Sequence, residues 1–297
     1  MKILFSVIIP LYNRCHLIKP VIDSVLSQAH TDFELILVDD GSTDNTGEFI
    51  TSNYQDKRIK YFYKENEERG AARNFGLQKA TGNYAVFLDS DDLMKDNYLA
   101  TLSQTITEHP DYCFLAAKYN FLYPNGEQVP SPMQPLKEGL YSYDFFLKGN
   151  GLGCNFCIRL YDFDYNKFPP ERELASMEDW LFLLLNTKRQ PIFIKDALCV
   201  HMQEHPDRSM LQNRTVIRAR KKSTEWILKN IQLTDKEKKT LQAWSHYFCA
   251  IHEYLDNDGD MAVREVVSAI RFGGVNKKFL VLLAKAFVGR RFIKGIK

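Results

Sequence analysis

Several signals that would assign a function at once are missing from this sequence. No Gly-x-Gly-x-x-Gly follows the first predicted strand and no Gly-x-x-x-x-Gly-Lys-Ser/Thr occurs, so the chain lacks the backbone phosphate cradles of dinucleotide-binding folds and P-loop enzymes. The net charge is only +2, which gives no charge argument for nucleic acid as a partner. A phosphate-containing ligand would therefore have to be held by a metal ion and by side chains.

Long apolar runs are also missing. No stretch reaches the ~18 apolar residues of a membrane-spanning helix. The apolar start of the chain is broken by Pro10 and by the polar residues 12–14, and no small-residue cleavage site follows, which does not fit a signal peptide. We therefore expect a cytoplasmic protein.

The six cysteines do not form a recognisable metal site. Cys154 and Cys157 make the only Cys-x-x-Cys, and a zinc site would need a second pair or suitably spaced histidines. Reduced and mostly buried thiols are expected instead. The sequence assigns no role to Cys154 and Cys157.

What the sequence does contain is a regular alternation of strand and helix patterns. Apolar and β-branched runs predict four strands, and amphipathic spacing predicts three intervening helices. The predicted strands are 5–11, 33–38, 59–63 and 84–88, and the helices are 18–28, 43–54 and 67–80. This order predicts an α/β fold with a mostly parallel, doubly wound sheet, in which ligands bind beyond the carboxyl ends of the strands.

The pattern changes after residue 92. It predicts a helix over 98–109, a strand over 112–123, a helix over 177–188 and a strand over 191–200. The polar residues 201–213 predict a loop, and the chain after Val216 reads as helical throughout. We therefore expect one domain over 1–215, with halves meeting near residue 110, and a helical region over 216–297.

The acids at the end of the fourth strand are the strongest chemical signal. Asp89 and Asp91 follow residues 84–88 and, in an extended chain, point to the same side. Two oxygen ligands on one side suit a divalent cation that also binds phosphate. The alternative is a solvated loop whose acids cap a helix starting near Lys95.

Two arginines offer positive charge near these acids. Arg69 and Arg73 are four residues apart on one predicted helix and so share a face. They could neutralise phosphate. Alternatively, they lie on a solvated face and pair with Glu65 and Glu68.

Four motifs together resemble glycosyltransferase family 2, whose members have the GT-A fold. They are Val-Ile-Ile-Pro-Leu-Tyr-Asn at 7–13, Leu-Val-Asp-Asp-Gly-Ser-Thr-Asp at 37–44, Arg-Gly-Ala-Ala-Arg-Asn at 69–74 and Phe-Leu-Asp-Ser-Asp-Asp at 87–92. A looser resemblance continues at 176–180 and at 205–209. It does not reach the helices after about Val216.

The resemblance implies roles for individual residues. Pro10 and Tyr12 would line a nucleobase pocket, and Asp40 would accept a hydrogen bond from the base. Asp89 would contact the ribose, and Asp91 would coordinate Mn²⁺ or Mg²⁺. Further nucleotide-sugar-binding residues would be Asn13, Arg69, Arg73, Ser90, Arg208 and Ser209.

The resemblance also places the catalytic base in the second half of the chain. Asp179 would be the base, supported by Glu178. From the residues alone, Ser176 to Asp179 equally fits a helix capping box. Asp39 and Asp40 could likewise make only a turn. His201 and His205 could contact the metal or acceptor, although a lone loop histidine often has no such role.

The resemblance implies an inverting, metal-dependent transferase. It would move a sugar from a UDP-sugar to a glycan or lipid-linked acceptor in bacterial surface-polysaccharide synthesis. The alternatives are a sugar nucleotidyltransferase, which would normally need a glycine-rich loop after the first strand, and a nucleotide-sugar-binding protein without activity.

The end of the chain is basic and partly apolar. After Glu265 the sequence holds eight basic residues and no acid, interleaved with phenylalanine and leucine. A helix of this kind can lie on an anionic membrane, which predicts contact with the inner face of the cell membrane. Alternatively, residues 279–288 pack on the catalytic domain or on a second subunit, as in a homodimer.

Overall fold

The computed structural model describes residues 2–288, whose strands form one mixed sheet. The strands are β1 Phe5–Leu11, β2 Phe33–Asp39, β3 Ile59–Tyr63, β4 Tyr84–Phe87, β5 Asp92–Met94, β6 Phe114–Leu122, β7 Gln128–Pro130, β8 Gly139–Tyr141, β9 Phe156–Arg159 and β10 Ile192–Gln203. The helices are α1 Ile18–Leu26, α2 Thr46–Asn53, α3 Glu68–Lys79, α4 Tyr98–Glu108, α5 Tyr143–Phe146, α6 Glu178–Thr187, α7 Asn213–Asn230, α8 Asp235–Leu255, α9 Gly259–Gly273 and α10 Lys277–Val288.

The first four strands form the parallel half of the sheet, as the sequence predicts. The strand order is β3-β2-β1-β4-β9-β6-β10-β5, with β7 beside β6 and β8 beside β10. β1 pairs in parallel with β2 and β4, and β2 with β3. Every residue of β1 and β2 is buried, as expected for parallel strands covered on both faces.

The register brings three strand ends to the same edge. Leu11, the last residue of β1, is opposite Asp39, the last residue of β2. On the other side of β1, Ile8 is opposite Phe87, where β4 ends. The loops after β1, β2 and β4 therefore start side by side.

Two predicted elements differ from the structure. Residues 92–94 form strand β5 rather than leading into a helix near Lys95, because their backbone pairs with residues 200–202 of β10. Helix α4 begins only at Tyr98. The last strand runs on to Gln203 and pairs with β6, so the first part of the predicted loop 201–213 is strand. Ser209–Leu211 forms a turn of 3-10 helix.

The chain divides into two compact units. The first comprises residues 1–142, 151–172 and 186–205 and contains the sheet. The second comprises 143–150, 173–185 and 206–297. Segments 143–150 and 173–185, which the sequence places within the first 215 residues, thus group with the carboxyl-terminal helices. The predicted boundary at residue 215 stays a prediction.

The second unit has its own apolar core. Ala243, Ala250, Val266, Phe279 and Leu282 are buried together where α8, α9 and α10 meet. Helix α8 begins with a capping box: the Thr234 hydroxyl accepts a bond from the Glu237 amide, and the Glu237 carboxylate accepts one from the Thr234 amide.

The cysteines are free thiols, as expected. All except Cys15 are buried. Cys157 lies in β9 between Val86 and Leu115, and burial raises its pKa. Among residues 2–288, no helix combines the length and apolar character that crossing a membrane requires.

We predict that Gly76→Ala destabilises the first unit. A Cβ at residue 76 of α3 would lie 2.4 Å from Cγ2 of Ile8 in β1, so the helix or the strand must move. Overpacking of this kind costs about 1–3 kcal/mol. The better helix propensity of alanine offsets up to about 1 kcal/mol of this loss in the free energy of unfolding.

The matched control is Gln78→Ala, on the exposed side of the same helix. Chemical denaturation should show a lower free energy of unfolding for Gly76→Ala and almost no change for Gln78→Ala. If Gly76→Ala were as stable as the wild type, the close approach of α3 to β1 would not be a constraint.

Candidate functional site

The loops after β1 and β2 are tied together by Asn13. Its backbone has a φ of +53°, a conformation that asparagine tolerates better than most residues. The Asn13 amide donates to Oγ of Ser42 at 2.8 Å, and Oδ1 of Asn13 accepts from the Thr43 amide at 2.8 Å. The Arg14 amide donates to Oγ1 of Thr46 at 2.9 Å. Asn13 therefore shapes this edge of the sheet.

Asp39 has a structural role in this loop. Its Oδ1 accepts from the Ser42 amide at 2.8 Å, and its Oδ2 accepts from the Tyr61 hydroxyl at 2.7 Å. Burial, followed by the bond to Asp39, raises the pKa of Tyr61. The turn that the sequence suggested for the Asp39–Asp40 pair is thus made by Asp39.

Asp40 is held differently. It is 2% exposed, and its Oδ1 accepts from Nζ of Lys64 at 2.8 Å and from the Glu67 amide at 3.1 Å. Its Oδ2 accepts no hydrogen bond from any residue between 2 and 288. Pro10 is buried in β1, opposite Val38 of β2, whereas Tyr12 is 48% exposed.

Three carboxylates meet at the end of β4. One oxygen from each of Asp89, Asp91 and Asp92 lies within 4.8 Å of the others. Nη2 of Arg73 lies 2.6 Å from Oδ1 of Asp89, and Arg73 itself is 1% exposed. Arg73 therefore does not lie on a solvated helix face, which was the alternative for this residue. Glu68, its suggested partner in that alternative, pairs with Arg172.

Asp91 has basic neighbours from two other parts of the chain. Nε2 of His205 lies 3.0 Å from Oδ2 of Asp91, and Nη2 of Arg14 lies 3.7 Å from the same oxygen. The Arg14 Nε donates to Oγ of Ser90 at 3.1 Å, and the Gln203 side chain donates to the Asp91 carbonyl at 2.7 Å. Asp91 is thereby fixed in position.

The surroundings move the pKa values of two of these acids in opposite directions. Desolvation raises the pKa of Asp89, and the nearby Asp91 adds to this effect, while Arg73 opposes it. Desolvation also disfavours the charged form of Asp91, but the bond to His205 and the charge of Arg14 outweigh it, so that its pKa is lowered. The surroundings thus favour the charged form of Asp91.

This donor set fits a divalent cation. Three carboxylate oxygens converge, His205 Nε2 contacts one of these carboxylates, and oxygen-rich groups suit Mg²⁺ or Mn²⁺. The two arginines already balance part of the negative charge. Arg69 also acts electrostatically on Asp89 and Asp91.

The predicted base belongs to the second unit. Asp179 lies in the first turn of α6. Its Oδ1 accepts from the Trp180 amide at 2.7 Å, and its Oδ2 accepts from Nδ2 of Asn150 at 2.7 Å. Glu178 is only 3% exposed, whereas Asp179 is partly exposed.

Arg208 and Ser209 are also in the second unit, at the start of the 3-10 turn Ser209–Leu211. Within the first unit, the structure brings Asn13, Asp40, Ser90, Asp89 and Asp91 to the loops at the edge of the sheet. The side chain of Arg73 reaches the same edge from α3.

Sequence reasoning missed several residues of this site. Arg14 pairs with Asp91 and Lys64 pairs with Asp40. Nothing in the local sequence of either basic residue indicates its partner. His205 had been considered without a partner. Its position two residues beyond β10 was hidden, because the sequence does not show that β10 lies beside β5.

Comparison with known proteins decides the family. Residues 6–168, more than half of the chain, match the sequence profile described as Glycosyl transferase family 2. The chain belongs to this glycosyltransferase family. The resemblance carried by the four motifs is therefore confirmed.

Individual relatives agree with this assignment. The glycosyltransferase TuaG of Bacillus subtilis, named for teichuronic acid biosynthesis, is 35% identical over 187 residues, covering 62% of this chain and 73% of that protein. An uncharacterized glycosyltransferase of Rickettsia conorii is 42% identical over 142 residues, covering 48% of this chain. The chain spans only 22% of that Rickettsia protein.

Solved structures confirm the fold of this family 2 chain. TarS of S. aureus in complex with UDP-GlcNAc matches with a TM-score of 0.67 and 23% identity, over 94% of this chain and 84% of that one. TarS in complex with UDP matches with a TM-score of 0.64. The predicted GT-A fold, with added carboxyl-terminal helices, is thus correct.

Proposed function

We propose that this protein is an inverting, metal-dependent glycosyltransferase that moves a sugar from a UDP-sugar to a hydroxyl of a glycan or lipid-linked acceptor. The observation that carries the proposal is the acidic cluster Asp89, Asp91 and Asp92 at the end of β4, with Arg73 and His205 bonded to it. The TarS complexes support a UDP-sugar donor, and the name of TuaG supports synthesis of a cell-surface polysaccharide.

The nucleotide is proposed to bind along the ends of β1 and β2. A uracil imide N–H needs an acceptor, and Oδ2 of Asp40, a residue only 2% exposed, is a carboxylate oxygen with no described donor. The exposed ring of Tyr12, together with Pro10, would flank the base. Asp89 would accept from the ribose hydroxyls, while Arg69 and Arg73 support the diphosphate.

The metal is proposed to bind at Asp91. When bound, Mn²⁺ or Mg²⁺ neutralises the charge that develops on the leaving diphosphate. Asp91 is already held as an anion and oriented by His205, and that histidine is a second candidate ligand. Asp92 and Asp89 lie within reach of the same point.

Asp179 is proposed as the general base. It would take the proton of the acceptor hydroxyl as the oxygen bonds to C1 of the sugar, and the bond from C1 to the UDP oxygen would break on the opposite face. Asp179 suits this role better than Glu178 because it is partly exposed, whereas Glu178 is buried. Glu178 would support the start of the helix.

We predict that Asp91→Ala abolishes Mn²⁺-dependent UDP binding and turnover while the fold is kept. The control is Asp111→Ala, an exposed acid of the same unit. Calorimetric titration of UDP with and without Mn²⁺ measures the effect. The metal assignment fails if Asp91→Ala binds UDP with the same metal dependence as the wild type.

We predict that Asp179→Asn lowers turnover by roughly 10²–10⁴-fold, because asparagine keeps the size of the side chain but cannot take a proton. Donor affinity and Tm should change little. The control is Asp144→Asn, an exposed acid at the start of α5 in the same unit. A stable Asp179→Asn enzyme with near wild-type turnover would rule out the base and make Glu178→Gln the next variant.

An assay of the released product separates the proposed function from a nucleotidyltransferase and from a non-catalytic binding protein. Incubation of a glycosyltransferase with a panel of nucleotide sugars and Mn²⁺ should release nucleoside diphosphate. Pyrophosphate chemistry would instead indicate a nucleotidyltransferase, and binding without turnover would indicate a non-catalytic protein.

The carboxyl-terminal helices are proposed to contact an anionic membrane. The apolar stripe of α10, Phe279, Leu282 and Ala286, is buried within the second unit, so this stripe itself is covered. The other side of α10 exposes apolar residues next to three lysines: Leu280, Val281, Phe287, Val288, Lys277, Lys278 and Lys285. The basic residues Arg290, Arg291, Lys294 and Lys297 lie outside the described residues.

We predict salt-sensitive binding to vesicles containing anionic lipid. The combined variant Leu280→Ser, Val281→Ser and Phe287→Ser should reduce co-sedimentation, because it removes the apolar side chains that would enter the interface. Val267→Ser, at a 54% exposed position of α9, is the control. Equal sedimentation of the combined variant and the wild type would refute membrane contact, and self-association of the wild type would favour the homodimer.

A further inference from the structure

The base proposed above has a hydrogen-bond partner of its own on a separate segment. Asn150 lies four residues after the end of α5 and donates from Nδ2 to Oδ2 of Asp179 at 2.7 Å. The other carboxylate oxygen accepts from the amide of Trp180. Because both oxygens accept hydrogen bonds, the plane of the carboxylate is fixed rather than free to rotate.

The chain between α5 and Asn150 is shaped to allow this contact. Gly149 has a φ of +142°, which an L side chain rarely adopts, and its amide donates to the Phe146 carbonyl at 3.0 Å. This glycine therefore turns the chain directly after α5. The turn brings Asn150 to the start of α6.

A second bond runs in the opposite direction between the same two segments. Nε1 of Trp180 donates to the Phe146 carbonyl at 2.7 Å. Two bonds therefore join residues 146–150 to residues 179–180. The Asn150 side chain donates in one direction, and the Trp180 side chain donates in the other. Asn150 cannot move away from Asp179 without disturbing the chain that also accepts the tryptophan bond.

Trp180 is in turn held by a buried cation. The guanidinium carbon of Arg220 in α7 lies 3.5 Å from the centre of the Trp180 ring, and Arg220 is 1% exposed. Its Nε donates to Oγ of Ser245 at 3.2 Å. Burial lowers the pKa of Arg220 to about 9, which leaves it charged at neutral pH and keeps the cation–π attraction.

We infer that Asn150 is a positioning residue for the reaction, which orients Asp179 and favours its charged form. This inference rests on the function proposed for Asp179. A carboxylate has about four lone-pair sites, so it can accept bonds that orient it together with a bond from an acceptor hydroxyl. A hydrogen bond to the charged form also favours ionisation, which a base requires.

The test compares Asn150→Ala and Asn150→Leu with the wild type. Both remove the hydrogen-bond donor without adding a charge, and leucine nearly keeps the size of the side chain, so a packing defect alone does not explain a shared effect. Misplacement of a catalytic group costs up to about 10²-fold in rate. We expect kcat to fall by about 10–10²-fold in both variants, with the donor KM unchanged.

The pH dependence separates positioning from a merely structural role. The rate should rise with pH as the base ionises, which gives the pH–rate profile an acidic limb. Loss of the hydrogen bond from Asn150 should move this limb to higher pH. A structural role would lower Tm and the active fraction but leave the limb in place. Asn213→Ala is the control, because Nδ2 of Asn213 also donates to a carboxylate of the second unit, that of Asp256.

Asp179→Asn is measured alongside. If Asp179→Asn retains wild-type turnover, the base assignment fails, and the role of Asn150 fails with it. If Asp179→Asn is inactive while both Asn150 variants keep the wild-type kcat and acidic limb, only the positioning role is overturned. A shifted limb in both Asn150 variants, with Asn213→Ala unchanged, supports it.

Discussion

The first unit depends on a concentration of negative charge at the end of one buried strand. Three carboxylates within 4.8 Å of one another repel, and desolvation increases the cost of ionising them. The protein offsets this with Arg73 from α3, Arg14 from the loop after β1 and His205 beyond β10. Clusters of acids whose pKa values are shifted by burial and by neighbouring charges are expected at ligand-binding sites.

The balance between the acids gives them separate roles. Arg73 is buried and bonded to Asp89, so Asp89 is attached to the helix that follows β3. Asp91 is bonded to an imidazole, a group that can itself ligate a metal, and remains an anion. One acid is thus bonded to a guanidinium and the other to an imidazole, with the guanidinium of Arg14 3.7 Å from the second acid.

Much of the first unit could be predicted from the sequence. The strands 5–11 and 59–63 agree with β1 and β3, because β-branched and aromatic residues, in which these segments are rich, favour strands. β5 could not be predicted, since a three-residue strand exists only through its pairing with β10. The same long-range pairing hid His205.

The limits of sequence reasoning are clearest for single side chains. Asp40 and Asp39 are adjacent and chemically identical, yet one closes a turn and the other keeps a carboxylate oxygen without a described donor. The spacing of Arg73 left open a solvated face or a role near phosphate, whereas the structure buries it against Asp89 and above the ring of Phe168. These differences arise from contacts across the sheet that no local pattern encodes.

The most direct test of the central claim is a crystal of the protein grown with UDP and Mn²⁺, with anomalous scattering recorded for manganese. The account predicts one anomalous peak at bonding distance, about 2.0–2.3 Å, from a carboxylate oxygen of Asp91 and next to the diphosphate. A bound UDP with no manganese at Asp91, or a manganese peak held by other residues, would contradict it.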